Sequence, residues 1–204
     1  GCQNILTGSV RVRGHAPGMT RTQYFVAASI DGYIADGDGR LDWLLQFNDV
    51  AGVEEHYKKF LAEVGALAMG ARTYEFLLAE GQPWPYVGLP TWVFTHRELP
   101  GCAGADVRFT TDEVAAVHAA MVRAAAGRHV WLVGGGDLVA QFVRRGLLDE
   151  LHLCVVPVVL GGGAPLLPAA VAGTLELTAV TRFPRGLTEL RYALPANGLS
   201  RGTG

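Results

Sequence analysis

VWLVGGGDLVAQF, residues 130–142, opens on an apolar run, breaks into three glycines and continues as an amphipathic segment headed by an acid. Such a strand feeding directly into a helix is the unit of parallel α/β sheets. A turn without side chains has two readings. It serves tight packing at a strand–helix junction, or it lets a ligand lie against main chain. A helix N-terminus favours the second for anions, because its first N–H groups are unpaired and the macrodipole is positive there. The same pattern recurs at 67–76, LAMGARTYEF.

Outward from these turns, apolar strands alternate with helices. YFVAASIDGYIA (24–35) is β-rich, and VEEHYKKFLAEV (53–64) is helical with Tyr57, Phe60, Leu61 and Val64 on one face. TWVFT (91–95) and DVRFTT (106–111) are strands, and DEVAAVHAAMVRAAA (112–126) is a helix with Asp112 as its expected cap. HVWLVGG (129–135) is a strand, DLVAQFVRRG (137–146) a helix ended by Gly146, and DELHLCVVPVVLG (149–161) a strand. LELTAVTRFPRGLTELRYAL (175–194) reads as two strands around PRGL, pairing antiparallel because no helix separates them. The expected fold class is therefore α/β, a mainly parallel sheet covered on both faces with an antiparallel C-terminal edge. Residues 1–20 and 196–204 lack a sustained period and are expected to be flexible, with Met19 a plausible natural start, leaving 21–195 as a single domain.

Composition narrows the function. The chain has 204 residues, 50% hydrophobic and 18% charged, and a formal net charge of −2. That balance offers no basic field for nucleic acid or an anionic membrane. Cys2, Cys102 and Cys154 are too few and too scattered for a disulfide framework or a zinc site, so no metal is expected. No stretch reaches the roughly 20 apolar residues of a membrane span. The first 20 residues carry no signal-peptide core, and the expected compartment is cytoplasmic. The nucleotide fingerprints fail too: the third glycine of G-x-G-x-x-G is missing after Gly134, and the phosphate-loop lysine is absent.

Six segments, in order, resemble the dihydrofolate-reductase-like superfamily, in the branch of the riboflavin biosynthesis reductase domain. They are AASIDGYIA (27–35), DGRLDW (38–43), MGARTYE (69–75), VFTHR (93–97), VGGGDLVAQF (133–142) and DELHLCVVPVVLGGGAPLL (149–167). The resemblance runs from about Tyr24 to Leu194. It implies a three-layer sandwich on a twisted sheet of about eight strands, NADPH as hydride donor, a small-molecule substrate and often a homodimer.

Carried over by position, Gly70, Arg72 and Thr73 meet the adenosine-side phosphates, where a guanidinium fork suits a phosphate. Thr95, His96 and Arg97 stand where the family holds the 2′-phosphate. Val133, Gly134, Gly135 and Gly136, with the amides of Asp137 and Leu138, cover the pyrophosphate. Ala27 and Ile34 hold the nicotinamide carboxamide through backbone groups. Asp137 is either a helix N-cap turned to its own amides or a negative charge facing the phosphates.

On the substrate side, reduction of a C=N bond needs a proton at nitrogen, and the carboxylates in reach are Asp31 and Asp42. Asp31 also reads as a turn residue before Gly32, and Asp42 as the cap of a helical turn opened by DWLL. Trp43 is either core or the wall of an aromatic-ligand pocket. The loop PVVLGGGAPLL (157–167) is a wide turn or a flap. Two departures stand out. The acid that folate reductases carry beyond a Pro-Trp pair has no clean match among Asp49, Glu54 and Glu55, and no Lys or Arg lies between Asp42 and Lys58 for a phosphoribosyl group. The zinc deaminase motifs often fused to such reductases are also absent. The resulting expectation is an NADPH-dependent reductase acting on a small heterocyclic, imine or carbonyl substrate, pterin- or aminopyrimidine-like. The alternative is an NADP(H)-binding protein without turnover.

Overall fold

The computed structural model describes residues 18–195, so the expected extension up to residue 17 and the tail 196–204 lie outside the described residues. The first strand, β1 (Thr22–Ser29), sends alternate side chains to opposite faces, Tyr24 and Val26 to one and Phe25 and Ala27 to the other. Then follow β2 (Tyr33–Ala35), α1 (Asp42–Leu45), α2 (Val53–Ala62), β3 (Val64–Gly70), α3 (Ala71–Ala79) and β4 (Thr91–Phe94). The second half adds β5 (Val107–Thr110), α4 (Val114–Ala124), β6 (His129–Gly134), α5 (Gly136–Arg144) and β7 (Glu150–Val156). It ends with β8 (Ala164–Pro165), β9 (Glu176–Arg182) and β10 (Thr188–Ala193).

Eight strands form one sheet in the order β5-β4-β3-β6-β1-β7-β10-β9. The chain leaves β1, builds β3, β4 and β5 outward, and returns to insert β6 between β3 and β1. All of these pairs and β1–β7 are parallel, while β7–β10 and β10–β9 are antiparallel, as the missing helix in 175–194 requires. This is the α/β sandwich expected from the sequence, with the antiparallel edge at its C-terminal end.

Helices α4 and α5 cover one face. Leu138, Val139, Phe142 and Val143 form the apolar stripe of α5 and pack with Tyr24, Val130, Leu132 and Leu151. Each such buried side chain contributes about 1.5–3 kcal/mol relative to exposure. The other face takes Phe60 of α2 and Tyr74 of α3 against Leu67, Met69, Val93 and Trp131. A third cluster gathers Trp43, Phe47, Val50, Val156 and Leu187.

Four local expectations are corrected. The run 24–35 is not one strand: it stops at Ser29, turns through Gly32 (φ +86°), and β2 leaves the main sheet to pair antiparallel with β8. A D-G pair inside a β-rich run breaks it because only glycine enters that φ freely. The run 149–161 ends at Val156, where Pro157 has no N–H for the ladder. Asp112 does not cap α4; Glu113 holds that position and the Asp112 N–H donates to Thr110 Oγ1 at 3.1 Å. Asp137 is not a cap either, because α5 begins one residue earlier with Gly135 in the cap position.

Candidate functional site

Strands β1 and β6 pair only from Thr22 to Tyr24, opposite Val130 to Leu132, whereas β1 stays with β7 as far as Ser29. A cleft therefore opens between the C-terminal halves of β1 and β6. The main chain of β1 alternates in direction: Thr22 O accepts from Asp149 N on the β7 side, and Phe25 O takes the indole N–H of Trp131 on the β6 side. Two residues on, the N–H and C=O of Ala27 face the same way as those of Phe25, into the cleft.

Both glycine turns reach this edge, where ligands of open α/β sheets sit. A Cβ built on Gly70 would stand 3.9 Å from Gly135 N and 4.0 Å from Gly134 O, and one on Gly134 would stand 3.6 Å from Thr73 Oγ1. The N-termini of α3 and α5 thus converge. The three glycines differ in kind. Gly134 has φ +147°, and its peptide bond to Gly135 is cis. Gly135 has φ −82°, and a Cβ there would meet nothing within 4 Å. Gly136 is a packing position, because a Cβ would lie 2.5 Å from Pro165 O.

The amides divide likewise. Those of Leu138 and Val139 donate to Gly135 O at 3.1 and 3.2 Å, and the Leu138 side chain is core. Those of Gly136 and Asp137 have no backbone acceptor among the described residues, as expected for a first helical turn. Asp137 is exposed beside them, its carboxylate without a hydrogen bond among the described residues. Val133 is half-buried on the α2–α3 face.

The charged rim is less simple than the sequence indicates. Arg72, in the first turn of α3, is exposed and makes no ion pair among the described residues. Arg97 instead donates Nη1 and Nη2 to the two carboxylate oxygens of Glu75 at 2.8 and 2.7 Å, which lowers the Glu75 carboxyl below its ordinary range. Thr95 Oγ1 accepts the Arg97 N–H at 2.9 Å, fixing the turn, and His96 is exposed.

The two aspartates stand apart from this cradle. Asp31 accepts from Ser29 Oγ at 2.7 Å, Leu160 N at 3.1 Å and Gly161 N at 2.7 Å. These bonds, Ser29's first, hold its carboxyl down to about 2. It is a fixed anion that pins the 157–163 loop. That loop is also held by Ile30 N donating to Val158 O, and by Gly163, whose Cβ would stand 2.0 Å from Ala35 O. Because the folded carboxyl titrates below an unfolded one, the bracing is complete above about pH 4 and disappears as pH falls through about 2. The Gly161 amide proton shift in NMR should accordingly titrate near pH 2, and Asp31→Asn should erase that step. A midpoint near 4 would contradict the bracing. Asp42 is exposed in the first turn of α1 behind Leu41, with no hydrogen bond among the described residues. Trp43 is buried in the third cluster, and its indole N–H has no hydrogen-bond partner among the described residues. Ile34 is half-buried in β2.

Sequence reasoning missed Glu189, 2% exposed on β10, and its partner His56, whose Nε2 lies 2.6 Å from Oε2. The usable signal was parity: Glu189 is two residues from buried Leu187 and shares its face.

Among the described residues no helix is long and apolar enough to cross a membrane, and no three His, Cys, Asp or Glu side chains group as a metal site. The sequence profile of the RibD C-terminal domain matches residues 87–188. Uncharacterized protein YwjB of Bacillus subtilis strain 168 is 32% identical over 146 residues, 72% of this chain and 82% of its own. Riboflavin biosynthesis protein RibD of Bacillus amyloliquefaciens is 32% identical over 99 residues, 41% of this chain and 24% of that protein. Among solved structures, a candidate riboflavin biosynthesis protein from Shewanella sp. PV-4 superposes with a TM-score of 0.69 at 26% identity, covering 86% of this chain and 99% of that one. Dihydrofolate reductase from Enterococcus faecalis, complexed with NADP(H), shares the fold at a TM-score of 0.58 and 17% identity, covering 87% and 96%. With an eight-stranded sheet in the same class and a profile match across half its length, the chain belongs to the RibD C-terminal domain family.

Proposed function

We propose that this protein is an NADPH-dependent reductase of a small heterocyclic, imine or carbonyl substrate, pterin- or aminopyrimidine-like. The observation that carries the reading is the convergence of two glycine turns on a cleft with Ala27 main chain along its wall. The fit to a dinucleotide is physical: Gly135 leaves open space where any side chain would stand, and the Gly136 and Asp137 amides have no backbone acceptor among the described residues.

In this reading Gly70, Thr73, Gly134 and Gly135, with those amides, hold the pyrophosphate, and Arg72 meets an adenosine-side phosphate. Thr95, His96 and Arg97 border the 2′-phosphate. Ala27 N–H and C=O, with Ile34 nearby, orient the carboxamide of the nicotinamide. When bound, the cofactor supplies a hydride. Trp43 walls the acceptor side. Asp31 holds the loop through its bonds to Ser29 Oγ, Leu160 N and Gly161 N.

NADPH should bind at least tenfold more tightly than NADH, because one charge-assisted phosphate contact is worth about 1.5–3 kcal/mol. Arg72→Ala should remove most of that preference in a fluorescence titration, and equal affinities in the unaltered protein would refute it. Oxidation of NADPH by carbonyl, imine and dihydropterin acceptors then separates a reductase from a protein that only binds the cofactor.

We also infer a homodimer through the β9 edge. Leu177 and Val180 of that terminal strand are 50% and 49% exposed, and the chain's mean hydropathy is +0.23. Light scattering should give twice the 21.7 kDa chain mass, and a value at the chain mass would overturn the dimer.

A further inference from the structure

The tip of the β9–β10 hairpin, residues 183–187, reaches the segment that carries α1. Phe183 and Leu187 enter the third cluster with Trp43, Phe47 and Ala27, and a Cβ built on Gly186 would stand 3.5 Å from Pro157. The tip therefore meets both α1 and the base of the 157–163 loop. Arg185 is at its apex, with φ +60°, in the left-handed region that glycine enters freely and other residues resist. Residues persist there where surrounding contacts over-determine them. Arg185 Nη1 donates to Gln46 O at 3.0 Å and to Asp49 Oδ1 at 3.0 Å. Its guanidinium lies over the Phe47 ring, 4.7 Å from the centroid. Asp49 is 84% exposed, so water screens that ion pair. The carbonyl and the ring carry the contact, and both belong to one segment: Gln46 is the C-terminal cap of α1, and Phe47 is buried next to it in sequence.

Helix α1 needs a hold from outside. It is four residues long, and Leu41 at its N-terminus supplies no side-chain cap. A helix of that length does not sustain itself, because one turn fixes several residues for very few hydrogen bonds. Yet it brings Trp43 and Leu44 into the cluster that includes Ala27 on the cleft wall. We propose that Arg185 is a positioning residue for the acceptor side: through Gln46 O and the Phe47 ring it fixes α1, and thereby the Trp43 and Leu44 wall beside Ala27. The inference rests on the reductase reading for the place of the acceptor. The hold on α1 is independent of that reading.

Arg185→Gly is the test, because glycine suits the backbone of the turn and removes only the side chain. The amides of Leu44, Leu45 and Phe47 donate to Leu41 O and Leu44 O. In the cofactor-free variant they should exchange with solvent about tenfold faster or more, while the amides of α4 keep their rates. The Trp43 indole N–H signal in NMR should move as well. Arg185→Lys should restore most of the protection, since a single nitrogen makes both hydrogen bonds. With NADPH and 7,8-dihydropterin, Arg185→Gly should raise KM for the pterin severalfold while kcat and NADPH affinity stay nearly unchanged. Unchanged α1 exchange, exchange raised throughout the chain, or no rescue by lysine would overturn the hold on α1. In a chain that binds NADPH, no turnover of the pterin or an unmoved KM would overturn the acceptor role. A chain that binds no NADPH, with α1 still loosened by Arg185→Gly, would leave the hold standing and remove the reductase reading.

Discussion

Gly135→Val should abolish NADPH binding, lowering affinity at least a hundredfold, while a thermal melt of the cofactor-free protein moves by no more than about 4 °C. The two halves of this expectation have separate causes. Gly135 has φ −82° and ψ −179°, extended backbone that valine adopts without strain, and no protein atom stands within 4 Å of the new Cβ. Valine is a poorer N-cap than glycine, so the loss at the start of α5 is confined to about 0.5–1 kcal/mol, a few degrees at most for a domain of this size. What the valine fills is the space between the turns of α3 and α5, where the cofactor phosphates are proposed to approach. A hundredfold loss corresponds to about 2.7 kcal/mol, within reach of one steric exclusion combined with lost amide contacts. A variant that binds NADPH normally would return the turn to a packing role.

One residue along, the expected result is the opposite. Gly136→Ala should destabilise the protein itself. Its Cβ would be 2.5 Å from Pro165 O, 3.1 Å from Leu166 O and 3.2 Å from Pro168 Cδ, all backbone or ring atoms that cannot swing aside. Overpacking of this kind costs typically 1–3 kcal/mol, about 2–4 °C per kcal/mol for a domain of this size. The cofactor-free melt should therefore fall by several degrees. The segment displaced carries β8, so the small β2–β8 sheet should loosen first. An unchanged melt would mean that residues 165–168 give way freely. Measured together, the neighbours distinguish a glycine kept for a ligand from one kept for packing.

Much of the fold was legible in the chain. Strand parity and helix periodicity identified the main elements, and the absence of a helix in 175–194 dictated the antiparallel edge, because a short connection cannot return a strand in parallel. The glycine turns after β3 and β6 were legible for the same local reason: strand, glycine, helix is a short-range pattern. Errors clustered where a residue's role depends on distant partners. DG inside 24–35 marked a turn, but β2 exists only because Ala164 and Pro165 arrive beside it. Asp31 read equally as an acid or a turn residue, and the amides of Leu160 and Gly161, more than a hundred residues away in sequence, decided that it is a fixed anion. The pairing of Arg97 with Glu75 has no signal in the sequence, because only the docking of α3 beside the 95–97 turn brings the two together.

The sequence by itself determined the α/β class, the alternation that builds the parallel sheet, and the positions of both glycine turns, since each depends on residues within a few positions of one another. Only the tertiary structure decided that the two turns meet, that β1 and β6 separate after Tyr24, and that Gly135 faces open space while Gly136 is packed. It alone buried Glu189 against His56. These are distances between segments far apart in the chain, and they are set by how the sheet orders and twists its strands, which no local pattern of side chains records.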